Sequence, residues 1–291
     1  MSKNAVAFTV TGPHIQLTAA ALASLCQTHR APEHLDVLIV AAGLGSADIA
    51  AIRRLPQLFG RPNIFVTVWQ PPAQVNQIHP VAASPRFPAM TFWRLLVPAY
   101  FPQFDRILYT DNDVLFCQDV STLFPLLPDT EPVAAVPDFY YHALANMPQM
   151  AAHFGLATSR DYVNSGVILF NVARFNALFP PAAIIAAANA NRDNYPDQAV
   201  LNRITAGHLV PLPLTVNYQK DDHWLNDWAK TAAPAHYPEF AAARQQVAIR
   251  HFVEFGTDSL PWQHIALRDP WEAQWWQTMN AVKERLQQDT E

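Results

Sequence analysis

Residues 106–113 read Arg106-Ile107-Leu108-Tyr109-Thr110-Asp111-Asn112-Asp113, and the fold turns on how that stretch is taken. Arg106–Thr110 is a short run with the aliphatic and aromatic residues of a buried strand. Asp111 and Asp113 follow at i and i+2, where the chain leaves the strand. In an open α/β sheet, ligands collect at the carboxyl ends of the strands. Two carboxylates placed there reach one hard cation, Mg²⁺ or Mn²⁺, with positions left over for phosphate oxygens. Such an ion acts as a Lewis acid on a diphosphate leaving group. Aspartates also cap turns, so the surroundings decide between the two readings.

Upstream, strands and helices alternate. Ala5–Val10, Leu35–Ala42 and Asn63–Trp69 read as strands, His14–His29 has helical spacing, and Ser46 or Asp48 caps a helix through Leu58. That order predicts an α/β fold with a mostly parallel central sheet flanked by helices on both faces. Proline-rich Gln70–Pro88 reads as loop, and Met90–Tyr100 as a helix that carries Arg94 and ends near Pro98. Downstream, Val133–Val136, Val163–Phe170 and Ile249–Val253 are further strands. Helices are expected over Pro180–Asn191, from near Asp197, and over Trp271–Gln288.

Composition narrows the function. With 51% hydrophobic and 15% charged residues, the chain has ample material for a core and is not of the disordered class. Its 19 Lys and Arg are scattered and the net charge is -5, which gives no reason to expect nucleic acid as a partner. Only 8 glycines occur, with no GxGxxG and no GxxxxGK[ST], so a glycine-rich phosphate loop is nearly excluded. Cys26 and Cys117 lie far apart without metal-type spacing and read as reduced thiols of a cytoplasmic protein. The N-terminus runs directly into a strand, with no basic region or apolar stretch of an export signal. No window is apolar over the length of a membrane span.

Four blocks then occur in order: Thr91-Phe92-Trp93-Arg94-Leu95-Leu96-Val97-Pro98 with Phe104–Asp113; Asp161-Tyr162-Val163-Asn164-Ser165-Gly166-Val167; Tyr195-Pro196-Asp197-Gln198-Ala199-Val200-Leu201-Asn202; and His251-Phe252 with Pro261-Trp262. Together they resemble glycosyltransferase family 8, the retaining nucleotide-sugar transferases of the GT-A fold, with its Rossmann-like sheet. The resemblance implies that Asp111, Asp113 and His251 bind Mn²⁺, which suits imidazole beside carboxylates better than Mg²⁺, the second choice. Asn164 and Gly166 fall around the donor sugar, and Asp197 and Gln198 flank its anomeric carbon. Gln198, Asp197 and Asn164 are accordingly the catalytic candidates. Arg94 holds phosphate or donor sugar, or else pairs with a carboxylate such as Asp197. Asn112 and Asp138 belong with the donor or acceptor, and Thr9 and Thr11 with uridine. Without the resemblance, His251 reads as a satisfied strand-end histidine and Asp197 as a helix N-cap.

The implied reaction moves a hexose, glucose or galactose, from a UDP-sugar to a saccharide or lipid-linked acceptor. Gln198, an amide, is a poor nucleophile, so front-face displacement is favoured over a covalent intermediate. The family's late lysine is replaced by Leu260, and Lys220, Arg250 and Arg268 are the remaining cations that could meet a departing diphosphate. Residues 1–265 read as the GT-A domain and 266–291 as a helical extension. Trp271, Trp275 and Trp276 either pack back on the domain or touch the inner membrane face, where the few nearby cations, Lys283 and Arg285, favour packing. Two rival readings stand beside this one. Asp111-Asn112-Asp113-Val114-Leu115 also resembles the haloacid-dehalogenase opening DxDx[TV], although Leu115 stands in its last place, it comes late in the chain and Lys220-Asp221-Asp222 lacks that family's spacing. Leu260 also fits a sugar-nucleotide-binding protein without turnover.

Overall fold

Alternate residues of the central strands enter two different cores. In β1 (Asn4–Thr11), Val6, Phe8 and Val10 face one core while Ala5 and Ala7 face the other. β2 (Leu35–Ala42) divides Val37, Ile39 and Ala41 from Leu38 and Val40 in the same way. Burial on both faces is why these strands are continuously apolar in the sequence. The computed structural model describes residues 3–80, 88–253 and 266–289.

β1 and β2 join β3 (Ile64–Trp69), β4 (Arg106–Thr110), β6 (Val133–Pro137), β7 (Val163–Asn171) and β8 (Leu209–Pro211) in one sheet, ordered β3-β2-β1-β4-β7-β6-β8. All neighbours are parallel except β7, which runs antiparallel to both β4 and β6. The mostly parallel sheet is the one expected. The reversed β7 is not, and neither is the separate antiparallel pair of β5 (Val114–Phe116) with β9 (Ile249–His251).

Helices α1 (Ile15–Thr28) and α2 (Ser46–Leu58) cover one face. The short α4 (Phe139–Ala143) and α10 (Tyr237–Arg244) join that core through Phe139 and Phe240. α3 (Trp93–Tyr100), α6 (Val172–Leu178), α7 (Pro181–Ala190) and α8 (Pro196–Ile204) cover the other face. α5 (Pro148–Phe154) adds Phe154 to a small cluster with Tyr162 and Ala199, and α9 (Lys230–Ala232) is a single turn.

Several boundaries differ from the expected ones. Gly45, rather than Ser46 or Asp48, precedes α2, and Asp48 Oδ2 accepts the Gly45 N–H at 3.3 Å. A 3₁₀ turn over Ala89–Phe92 leads into α3, which contains Pro98 and ends two residues later. α8 starts after Tyr195, whose φ of 54° lies in the left-handed region, so Asp197 sits in the first helical turn and is not its cap. β9 ends at His251 instead of Val253.

The register of two strand pairs assembles the site. Thr110 pairs with Val167, so Asp111 leaves β4 opposite Gly166 and donates its N–H to the Gly166 carbonyl at 2.7 Å. Val114 pairs with His251, and the Phe252 N–H donates to the Asp113 carbonyl at 2.9 Å.

α11 (Pro270–Gln288) settles the two readings of the tryptophan tail. Trp275 and Met279 are buried with Leu17, Ala20, Leu115 and Phe252, and Trp271 and Trp276 pack on the same cluster. Asp269 caps the helix by accepting the Glu272 N–H, and pairs with buried Arg250 at 2.9 Å. No helix among the described residues is long and apolar enough to cross a membrane. Truncating Trp275 to Ala leaves a cavity under α11, with an expected loss of about 3–5 kcal/mol in urea-unfolding free energy. An unchanged midpoint would mean that the tail does not dock.

Candidate active site

A cleft of about 640 Å³ opens where β1, β4 and β6 end, the place that α/β sheets reserve for ligands. Thr9, Arg94, Asp111, Asn112, Asp113, Asp138, Asn164, Asp197, Gln198 and His251 all line it, drawn from seven separate stretches of the chain. Thr11 does not. It ends β1 and leads into the Gly12–His14 turn, and His14 and Leu17 line the cleft near there instead. Gly166 lies behind the acidic pair. A Cβ on it would stand 2.0 Å from His251 Cε1 and 2.9 Å from Asp111 Oδ2, so only glycine lets these two side chains meet.

Arg94, 8% exposed, is the hub of the carboxylates. Its Nη1 donates to Asp111 Oδ2 at 3.1 Å, Nη2 lies 3.0 Å from Asp111 Oδ1, and Nε lies 3.3 Å from Asp197 Oδ2. The ion pair with Asp197, one of the two expected uses of this arginine, is therefore formed, and Asp111 is added to it. Tyr109 Oη donates to Asp111 Oδ1 at 2.8 Å, and Ser165 Oγ donates to Asp197 Oδ2 at 2.8 Å. Burial pushes the Asp111 carboxyl above its usual range, and neighbouring Asp113 adds to that push against Arg94. Two close carboxylates that resist ionising together are what a cation relieves.

The protonation of His251 follows from backbone donors some distance away. The Gly166 N–H donates to Asn164 Oδ1 at 2.9 Å, and the Ser165 N–H to Gln198 Oε1 at 3.3 Å. A backbone N–H can only donate, so both amides are oriented. Asn164 Nδ2 then donates to Gln198 Oε1 at 2.9 Å, and Gln198 Nε2 to Asp138 Oδ2 at 3.1 Å. On the other side, Asn217 must offer Nδ2 to Asn164 Oδ1, at 2.9 Å, which leaves Asn217 Oδ1 facing His251 Nδ1 at 2.9 Å. That nitrogen therefore carries a proton, and in the neutral imidazole Nε2 presents a lone pair. Nε2 is buried without a hydrogen-bond partner among the described residues, 3.3 Å from Asp113 Oδ1 and 3.8 Å from Asp111 Oδ2. A lone pair facing two carboxylates is repulsive on its own, and it fits a divalent cation.

Asn112 also anchors the acidic turn. Its Nδ2 donates to the Thr9 carbonyl at 2.8 Å and its Oδ1 accepts from Thr18 Oγ1 at 2.7 Å, which ties the acidic turn to β1 and α1. Asp138 caps α4 through the N–H groups of Tyr140 and Tyr141 while holding Gln198. Lys220, Arg250 and Arg268 are absent from the described lining residues. Arg250 is spent on Asp269, and Arg268 lies 3.6 Å from Asp221. Arg94 is the one Lys or Arg among those lining residues. Leu260, Pro261 and Trp262 lie outside the described residues.

Sequence reasoning missed Asn217, which sits in a stretch without a motif, and the cleft tyrosines Tyr140 and Tyr141, while Tyr195 stood in a quoted block without being singled out. Tyr109 and Ser165 lay inside the quoted blocks but carried no periodic or spacing signal of their own.

The sheet and its cleft are those of a GT-A glycosyltransferase fold. The chain belongs to glycosyltransferase family 8, whose family model matches residues 5–266. No curated protein matches it in sequence. Among solved structures, it is similar to the galactosyltransferase LgtC in complex with donor and acceptor sugar analogues, with a TM-score of 0.72, 18% identity, and 95% of each chain covered. It is also similar to the bifunctional glycosyltransferase WbbM, with a TM-score of 0.75, 18% identity and 95% of this chain covered. The match takes in 52% of WbbM, so this chain spans about half of that protein's length. GlyE of Streptococcus pneumoniae TIGR4 gives a TM-score of 0.67 at 20% identity, over 97% of this chain and 63% of that one.

Two measurements check the geometry alone. ¹⁵N-correlated NMR of the metal-free protein is expected to find a proton on His251 Nδ1, and a ring protonated on Nε2 alone would contradict the amide chain. Gly166→Ala is expected to destabilise the fold by about 1–3 kcal/mol, because the new methyl overpacks buried His251. Denaturant titration reads this directly.

Proposed function

We propose that this family 8 glycosyltransferase moves a hexose, glucose or galactose, from a UDP-sugar to a saccharide or lipid-linked acceptor with retention of configuration. Asp111, Asp113 and His251 would hold Mn²⁺. The observation that carries the reading is the buried His251 Nε2, without a hydrogen-bond partner among the described residues, facing the two aspartates. The imidazole favours Mn²⁺ over Mg²⁺ in that set. When bound, the ion supplies neutralising charge to a diphosphate leaving group.

The chain's own residues do the rest. Arg94 faces two carboxylates, and Asp113 adds a third, so the group is left with two negative charges that a divalent ion balances. Arg94 therefore fixes the acidic pair before it answers any phosphate. Asn164 and Gln198 are 6% and 5% exposed and locked by backbone N–H groups, so they present fixed dipoles to a sugar at the cleft wall. Gln198 is tethered at both ends of its amide, which suits a group that steadies developing positive charge and not one that attacks. Displacement from the front face, with a donor phosphate oxygen taking the acceptor's proton, fits a site whose carboxylates beside Gln198 are already engaged, Asp197 by Arg94 and Ser165 and Asp138 by Gln198 and the Tyr140 and Tyr141 N–H groups. Residues 266–291 act in this reading as an extension docked on the transferase domain, and the composition fits a cytoplasmic enzyme.

A thermal-shift screen of UDP-sugars with and without Mn²⁺ tests the donor class. Selective stabilisation by one UDP-hexose, only with Mn²⁺, is expected. Equal response to all nucleotides, or none, overturns the reading. Asp113→Asn is expected to lower Mn²⁺-dependent turnover by about 10²-fold or more, since the ion is worth several kcal/mol to the leaving group. Full metal-dependent activity in that variant would remove Asp113 from the site.

A further inference from the structure

We infer that a second metal centre, suited to Zn²⁺, is built outside the cleft by His142, His236 and Glu239. His142 lies in the last turn of α4. His236 immediately precedes α10 and Glu239 lies in its first turn, so this pair shares one helical face at i and i+3. His142 Nε2 is 3.0 Å from Glu239 Oε2, and His236 Nδ1 is 3.9 Å from the same oxygen. The two imidazoles meet edge to face with centroids 5.5 Å apart. One ligand atom from each of the three residues lies within 4.8 Å of the others. Donors around tetrahedral Zn²⁺, at bond lengths of about 2.0–2.1 Å, stand about 3.3 Å apart, so side-chain rotation closes the set.

Two imidazoles and one carboxylate form a three-ligand zinc site that leaves a fourth position for water. The histidine side chains are 17% and 19% exposed, and Glu239 is 51% exposed, which gives the ion an open side. Arg160 lies close to His236. It opposes a cation there, and the Glu239 carboxylate offsets that charge. The ion would join α4 to α10. α4 begins at Asp138, which holds Gln198, and it carries Tyr140 and Tyr141 of the cleft wall. A zinc clamp would therefore fix that wall to the body of the protein. None of this depends on what the cleft binds.

Equilibrium dialysis against Zn²⁺ with elemental analysis tests the site. The full chain carrying Asp111→Asn and Asp113→Asn, which lacks the carboxylates of the cleft cluster, is expected to retain one Zn²⁺. Adding His236→Gln or His142→Gln is expected to weaken that binding at least tenfold. If the doubly substituted chain does not fold, the comparison is made in the unmodified chain. There His236→Gln lowers the zinc count by one whether or not the cleft takes an ion. A count unchanged by both His236→Gln and His142→Gln overturns the proposal.

Discussion

The register between β4 and the reversed strand β7 is the constraint on which the site depends. It sets Gly166 against Asp111, and the missing side chain there leaves room for His251 to approach. It also aims the N–H groups of Ser165 and Gly166 at Gln198 and Asn164, which orients a chain of amides from Asp138 to His251. One backbone feature thus fixes the protonation of a proposed metal ligand and the dipoles proposed to face the sugar. Asn202 strengthens it by accepting the Val163 N–H and donating to the Val163 carbonyl, which pins the start of β7 to α8.

Charge balance explains how a cleft whose described lining holds so little positive charge is proposed to handle a diphosphate. Arg94 is the one described guanidinium there, and Asp111 and Asp197 already engage it. Buried ion pairs of this kind gain little net stability but hold a geometry well. In the proposed reading Arg94 keeps the aspartates in place, and the metal ion brings the charge that meets phosphate. Tyr109, donating to Asp111 beneath that guanidinium, removes one more degree of freedom from the carboxylate.

Much of this was legible in the sequence, for identifiable reasons. Leu35–Ala42 and Arg106–Thr110 were read to their exact residues because strands buried on both faces are continuous apolar runs between polar breaks. The proposed site residues sit where such strands or helices end, which is where motif and chemistry coincide. The three-residue strands β5, β8 and β9 are too short to show a period, so the pairing that carries His251 to Asp113 could not be foreseen. The direction of β7 was hidden as well, because an apolar run reads the same in either orientation. Asn217 acts through two side-chain contacts to residues 53 and 34 positions away, which local sequence does not encode. His142 and His236 meet across a still longer gap in the chain.

The central claim is that one divalent ion joins Asp111, Asp113 and His251. Pulsed EPR of Mn²⁺ added to ¹⁵N-labelled protein with UDP measures it most directly. A coupling from one directly bound imidazole nitrogen, lost in His251→Gln, is the expected result. A Mn²⁺ spectrum without nitrogen coupling, or one unchanged by that substitution, would contradict it.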